Sequence, residues 1–165
     1  MLRAGAAQVD ITPKCPLVLA GSFTKRVAER VHDPLLATAL LVESDSAQLA
    51  IVSCDLLFMT DAQNDELRKS ISEETGVPAG HVLLCCTHTH NGPGMFELLP
   101  PMPVDDDVVK NVKRGIVRAA TDAVQNMQPA RMGYASGNAE RATFNRRFIM
   151  PDGRAVTNPG PNEPP

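Results

Sequence analysis

The sequence lacks the features that mark nucleic-acid-binding and membrane proteins. Its 165 residues include 16 basic and 19 acidic side chains, and the formal net charge is −3. The two signs are interleaved, so no basic surface for phosphates is expected and nucleic acid is not predicted as a partner. No apolar run approaches the ~20 residues that a membrane-spanning helix needs, so no transmembrane segment is predicted either.

Two further absences concern the cellular compartment and the cysteines. The first residues, MLRAGAAQVDITP, lack the apolar stretch of ~7–15 residues that follows the basic start of a secretory signal, which favours the cytoplasm. Cys15, Cys54, Cys85 and Cys86 include no Cys-x-x-Cys pair. A structural zinc knuckle and a thioredoxin-like redox site are therefore not predicted, and we expect buried free thiols.

Two apolar, β-branched runs begin the part of the chain with clear secondary-structure patterns. Residues 39–44 (ALLVES) and 47–57 (AQLAIVSCDLL) are separated by Asp45-Ser46, which predicts an antiparallel hairpin. The second run is apolar on both faces around residues 49–52, which is typical of a strand that is buried on both sides.

A helix and a further strand are predicted next. Thr60 and Gln63 have the spacing of a capping box, so a helix should begin near Asp61 and end at Gly76. The run HVLLCC at residues 81–86 predicts an interior strand. A strand, helix and strand in this order predict two parallel strands joined by a crossover.

The second predicted helix lies in DDDVVKNVKRGIVRAATDAVQNM, at residues 105–127. Three aspartates stand at its N-terminal end, and Pro129 should stop it. Its apolar side chains recur on one stripe, which comprises Val108, Val112, Ile116, Ala119, Ala120, Ala123 and Met127.

After this helix, ARMGYAS at residues 130–136 predicts another strand, and FNRRFIMPDGRAV predicts a hairpin that turns at Asp152-Gly153. The predicted fold class is therefore α/β, a mixed β-sheet with packed helices. Residues 1–150 are predicted to form the folded part, whereas residues 151–165, rich in Pro, Gly and Asn, are predicted to be an extended, linker-like tail.

The stretch CCTHTHNGPG at residues 85–94 contains the candidate functional residues. In an extended backbone His88 and His90 face the same side, with Cα atoms ~6.5–7 Å apart. Two imidazoles that converge on one cavity can bind zinc, which activates water for hydrolysis. The alternative is two histidines at a strand end that are bonded to local partners.

Few other residues of this chain could complete a zinc site with His88 and His90. His81 lies at the opposite end of the predicted strand, ~23 Å from His88, and is not expected to join the site. His32, Asp55 or another carboxylate could complete the site from within this chain. Asp55 ends the first strand of the predicted strand-helix-strand unit, so it is expected at the same edge of the sheet as the histidine pair. The zinc-lactamase pattern HxHxDH is absent.

The sequence resembles the N-terminal catalytic region of neutral/alkaline, non-lysosomal ceramidases. The matching segments are GAAQVDITP, VHDPLLATALLVES, IVSCDLL, VLLCCTHTHNGPG and the run Phe144-Asn145-Arg146-Arg147. The THTHxGPG element is the most specific of them. The resemblance extends over nearly the whole chain and implies that it is the N-terminal part of a larger catalytic domain.

The resemblance implies a zinc-dependent amidase that cleaves ceramide into sphingosine and a fatty acid. By position, His88 would be a Zn²⁺ ligand, His90 a proton-transfer or oxyanion-stabilising group, and Arg146 would bind the polarised carbonyl oxygen. His32 and Asp55 match family positions for which a substrate-binding role is the hypothesis. Apolar residues after the motif could supply part of a lipid groove or belong to the core; they are Phe96, Leu98, Leu99 and Met102.

The resemblance also implies that this chain is incomplete. In the family another histidine, a glutamate and a tyrosine complete the zinc site further along the chain, and a C-terminal immunoglobulin-like domain follows. We therefore expect this chain to need the missing C-terminal part of the same protein as its partner. Without that part, the fragment is expected to be inactive. Many family members are exported, which implies a secreted or periplasmic location. Two alternatives stay open: a self-contained hydrolase with a His32/His88/His90 metal site, and a non-catalytic binding domain.

Overall fold

A computed structural model describes residues 1–97, 103–139 and 145–157, and it divides into two compact units, residues 1–131 and residues 132–165. The first unit contains β1 (Arg3–Asp10), β2 (Leu17–Leu19), β3 (Arg26–Ala28), β4 (Leu36–Glu43), β5 (Gln48–Cys54), α1 (Asp61–Thr75), β6 (Val82–Cys86), α2 (Asp106–Gln125) and β7 (Gln128–Pro129). The second unit contains β8 (Arg147–Ile149) and β9 (Ala155–Thr157).

The first unit is a mixed sheet with two helices, as the sequence predicts. The strand order is β6-β5-β4-β1-β7. Strands β4 and β5 form the predicted antiparallel hairpin, and β5 and β6 are parallel and joined through α1. The core lies between the sheet and the helices, where Ala39, Val52, Ile71 and Ile116 are fully buried.

Two predictions about burial in the sheet are wrong. In β5 Val52 is fully buried but Leu49 is 41% exposed, so one face of the strand is covered and the other is open. Strand β6 is an edge strand of the described sheet rather than an interior one, and its Leu83 is 54% exposed. An apolar run does not reveal how many of its faces have a partner, and here the described helices cover one face only.

Both helices form where the sequence places them. The Thr60 hydroxyl accepts from the Gln63 amide, and the Gln63 side chain accepts from the Thr60 amide, which completes the capping box. Gly76 ends α1 in the left-handed conformation. In α2 the Asp105 carboxylate accepts from two backbone amides of the first turn. The predicted stripe of α2 is buried at Val112, Ile116, Ala119, Ala120 and Ala123. Within the described part of the chain, no helix is long and apolar enough to cross a membrane.

The strand predicted at residues 130–136 is not formed. Just before this segment, Gln128 and Pro129 of β7 pair with β1, but residues 130–136 form no strand, and Met132 and Tyr134 are 81% and 92% exposed. The segment has β-type residues, but no described strand pairs with it.

The hairpin predicted at the end of the chain is confirmed. Strand β8 pairs with β9, and Gly153, with φ of 81°, lies in the turn between them. Part of the range predicted as a tail, residues 155–157, is thus a strand, whereas residues 158–165 lie outside the described residues. The predicted boundary at residue 150 stays a prediction.

All four cysteines are free, as predicted, but only Cys54 is buried and Cys85 is exposed. Burial raises the pKa of the Cys54 thiol to about 12, and the neighbouring Cys86 adds to this effect.

Because the thiolate is the reactive form, we expect a thiol reagent at about pH 8 to label Cys85 rapidly in the native protein and Cys54 only after unfolding. Peptide mass spectrometry would measure the order of labelling; rapid labelling of Cys54 in the native protein would contradict the buried position.

Candidate functional site

The site lies at the edge of the sheet where the parallel strands β5 and β6 end. Cys54 and Cys86 are in register, so the residues that follow them lie at the same edge of the sheet, as the sequence predicts for Asp55 and the histidine pair. The Asp55 carboxylate accepts hydrogen bonds from the Leu36 amide at 2.9 Å and from the Thr87 hydroxyl at 3.1 Å. Asp55 therefore connects three segments of this edge. A substrate-binding role for it stays a prediction.

The chain turns sharply at His88. Its φ of 62° lies in the left-handed region, which non-glycine residues seldom adopt and which is frequent at functional sites. The His88 amide donates to the Leu56 carbonyl at 3.0 Å, which holds the turn. The expected extended backbone is therefore wrong. The two rings are nevertheless neighbours, with centroids 5.1 Å apart and planes at 81°.

Each imidazole is oriented by a backbone carbonyl. His88 Nδ1 lies 3.0 Å from the Leu57 oxygen, and His90 Nδ1 lies 2.6 Å from the Gly21 oxygen. Because a carbonyl oxygen can only accept, each Nδ1 must donate its proton, and in the neutral form of such a ring the lone pair is on Nε2. Neither Nε2 has a hydrogen-bond partner among the described residues, and both histidines are exposed. This arrangement suits metal ligands and proton acceptors.

An aromatic pair lies beside the first histidine. The Phe58 ring stacks on His88 with centroids 6.4 Å apart, and Phe96 lies 5.2 Å from Phe58. Phe58 is 38% exposed, so the pair presents an apolar surface next to the imidazoles. Phe58 is not predicted from the sequence, although it directly follows the apolar run of β5. Of the residues proposed for a lipid groove, Phe96 is described, and the others, Leu98, Leu99 and Met102, lie outside the described residues.

The hairpin formed by β2 and β3 contacts the loop that contains His88 and His90. Leu19 forms an isolated bridge with Pro93, and the Ala20 amide donates to the Gly92 carbonyl at 3.0 Å. The Arg26 guanidinium donates to the His90 carbonyl. No sequence motif reveals these contacts, because they join segments roughly 70 residues apart.

The alternative of a His32/His88/His90 metal site is wrong. No group of three His, Cys, Asp or Glu side chains within the described part of the chain could hold a metal ion. The His32 side chain is 92% exposed and is bonded to Asp33 at 2.9 Å. His32 lines a cavity of about 450 Å³ together with Thr89 and Asn91, which flank His90. A role of His32 in substrate binding stays a prediction.

The remaining predicted residues lie elsewhere. His81 precedes β6, at the opposite end of the strand from His88, as predicted. Arg146 belongs to the second unit, where it is exposed and directly precedes β8. Its predicted contact with a carbonyl oxygen stays a prediction.

Comparison with known proteins identifies similar sequences and structures. Residues 2–149 match the family model described as neutral/alkaline non-lysosomal ceramidase, N-terminal. The neutral ceramidase of Pseudomonas aeruginosa is 28% identical over 158 residues, which cover 89% of this chain and 24% of that protein. A crystal structure of neutral ceramidase from Pseudomonas aeruginosa matches with a TM-score of 0.70 and 26% identity, over 78% of this chain and 22% of that one.

A structure of a ceramidase complexed with C2 matches with a TM-score of 0.78 and 29% identity, over 88% of this chain and 24% of that one. The chain thus spans about a quarter of the length of the relatives that it matches.

Proposed function

Because this chain belongs to the neutral/alkaline non-lysosomal ceramidase family, we propose that it forms the histidine-bearing part of a zinc-dependent amidase that cleaves ceramide into sphingosine and a fatty acid. One observation supports this function above the others: His88 and His90 are exposed neighbours whose Nδ1 protons are held by carbonyls, which leaves both Nε2 lone pairs available. The rest of the enzyme would correspond to the three-quarters of its relatives that this chain does not span.

His88 is the proposed zinc ligand. Its Nδ1–H donates to the Leu57 carbonyl, which is the usual outer contact of a metal-bound histidine. Catalytic zinc typically has three protein ligands, and the described residues offer no group of three. We therefore propose that the missing ligands come from polypeptide outside these residues. When bound, zinc would polarise the amide carbonyl and lower the pKa of water at the site.

His90 is the proposed proton-transfer group. Its Nε2 lone pair would accept a proton from the attacking water, and the resulting imidazolium would give that proton to the leaving amine nitrogen. Arg146 would bind the carbonyl oxygen as negative charge develops on it. Phe58, which is 38% exposed beside His88, would offer an apolar contact for the alkyl chains of the substrate.

Zinc titration followed by NMR of the histidine rings tests the assignment of the ligand. We expect zinc to perturb the Nε2 signals of His88 and His90 and to leave those of His32 and His81 unchanged. His88→Ala should weaken zinc binding by at least about tenfold, because His88 is the one zinc ligand proposed within the described residues.

His81→Ala is the matched control, since His81 is also an exposed histidine but lies at the far end of β6. It should bind zinc like the wild type. Equal perturbation of all four histidines, or unchanged zinc affinity in His88→Ala, would contradict the proposed metal site.

A further inference from the structure

Gly21, in the hairpin β2–β3, makes a direct contact with the second histidine of the motif. Its carbonyl oxygen lies 2.6 Å from His90 Nδ1, although the two residues are 69 positions apart in the chain. The backbone amide of the preceding residue, Ala20, bonds to the Gly92 carbonyl at 3.0 Å, and Arg26 bonds to the His90 carbonyl. The hairpin therefore holds both the backbone and the ring of His90.

The position of the His90 ring requires a residue without a side chain at position 21. A Cβ atom added to Gly21 would lie 2.6 Å from His90 Nδ1 and 2.7 Å from its Cγ, which is closer than real Cβ atoms approach. The φ of Gly21 is 85°, a conformation that glycine adopts without strain. Both the ring contact and the backbone conformation thus depend on glycine.

We propose that Gly21 is a positioning residue that sets the tautomer and the orientation of His90. Without such a contact a neutral imidazole exchanges its proton between Nδ1 and Nε2. The Gly21 carbonyl holds the proton on Nδ1 and directs the Nε2 lone pair away from the hairpin. The catalytic meaning rests on the proposed function, in which that lone pair accepts a proton, but the tautomer itself is a property of this chain alone.

Two-bond ¹H–¹⁵N correlation spectra of the histidine rings test this proposal without zinc or substrate. At about pH 8.5, where histidine is ordinarily neutral, we expect the wild-type His90 to show a protonated Nδ1 and an unprotonated Nε2. In Gly21→Ala the ratio of the Nδ1–H to the Nε2–H tautomer should fall about fivefold, which is the typical value of one net hydrogen bond.

Gly76→Ala is the matched control. Gly76 also has a positive φ, of 75°, but a Cβ atom there would meet nothing within 4 Å, so it reproduces the backbone strain without the ring contact. The His90 tautomer should be unchanged in this variant. A predominantly Nε2-protonated His90 in the wild type, or an unchanged ratio in folded Gly21→Ala, would overturn the proposal.

If Gly21→Ala does not fold, a measurement on the wild-type protein tests the contact between Gly21 and the His90 ring. The proton on His90 Nδ1 should then show a nuclear Overhauser effect to the Hα atoms of Gly21. Its absence would overturn the proposal. Because this NMR test uses neither zinc nor substrate, a negative result for the Gly21 proposal is distinguishable from a negative result of the zinc titration.

Discussion

Gly5→Ala is expected to lower the free energy of unfolding of the first unit by at least about 3 kcal/mol, which is at or above the upper end of the usual cost of overpacking. This loss is a large part of the ~5–15 kcal/mol that stabilises a typical domain. Gly5 lies in β1 beneath α2. A Cβ atom at position 5 would collide with the carbonyl oxygen of Ala123 and lie 2.9 Å from the amide nitrogen of Met127. These are backbone atoms, so the clash can be relieved only by moving the helix away from the sheet. Urea unfolding followed by circular dichroism would measure the loss of free energy.

Gly80→Ala is the control for this prediction. Gly80 is exposed, and a Cβ atom there would meet nothing within 4 Å. Its free energy of unfolding should stay within about 0.5 kcal/mol of the wild type, as for most surface substitutions. A Gly5→Ala variant whose stability is close to that of Gly80→Ala would show that α2 does not approach β1 as closely as described.

The helices could be predicted from the sequence because their signals are local. The Thr60 and Gln63 pair lies within four residues, and the contacts that it predicts are made between those same residues. The apolar stripe of α2 is likewise a property of one continuous segment, and its period decides which residues are buried. Neither prediction depends on a partner from elsewhere in the chain.

Strand β1 could not be predicted in this way. Its sequence, RAGAAQVD, has small side chains in place of an alternation of large apolar and polar ones. Small residues are required here because α2 approaches closely at Gly5, and this is a long-range packing requirement. The same limit explains the wrong predictions for β5 and β6, since local patterns do not say which faces of a strand the helices cover.

The histidine pair could be identified from its motif, but its geometry could not. The left-handed conformation of His88 replaces the extended backbone that the sequence favours. The two carbonyls that orient the rings belong to Leu57 and Gly21, which are 31 and 69 residues away along the chain. Such contacts exist only after the hairpin β2–β3 and the end of β5 have been brought to the same edge.

His90→Ala is expected to lower the rate of ceramide hydrolysis by about 10²–10⁴-fold, the usual contribution of a general acid–base group. The measurement needs a complete enzyme, so we would replace the matching segment of the Pseudomonas aeruginosa neutral ceramidase with residues 2–149 of this chain. The chimera should hydrolyse ceramide. In His90→Ala the loss should appear in kcat while zinc is retained, because His90 is proposed to move protons rather than to bind the metal.

His88→Ala in the same chimera should lose both zinc and activity, whereas His81→Ala should resemble the unsubstituted chimera. These three variants separate a ligand, a proton-transfer group and a histidine outside the site. A folded, zinc-containing chimera that does not hydrolyse ceramide, or a His90→Ala variant with unchanged kcat, would contradict the proposed function. The isolated 165-residue chain should be inactive with zinc, because its described residues include one proposed ligand, His88, where three protein ligands are usual. Measurable turnover by the chain alone would show that no additional ligand is needed.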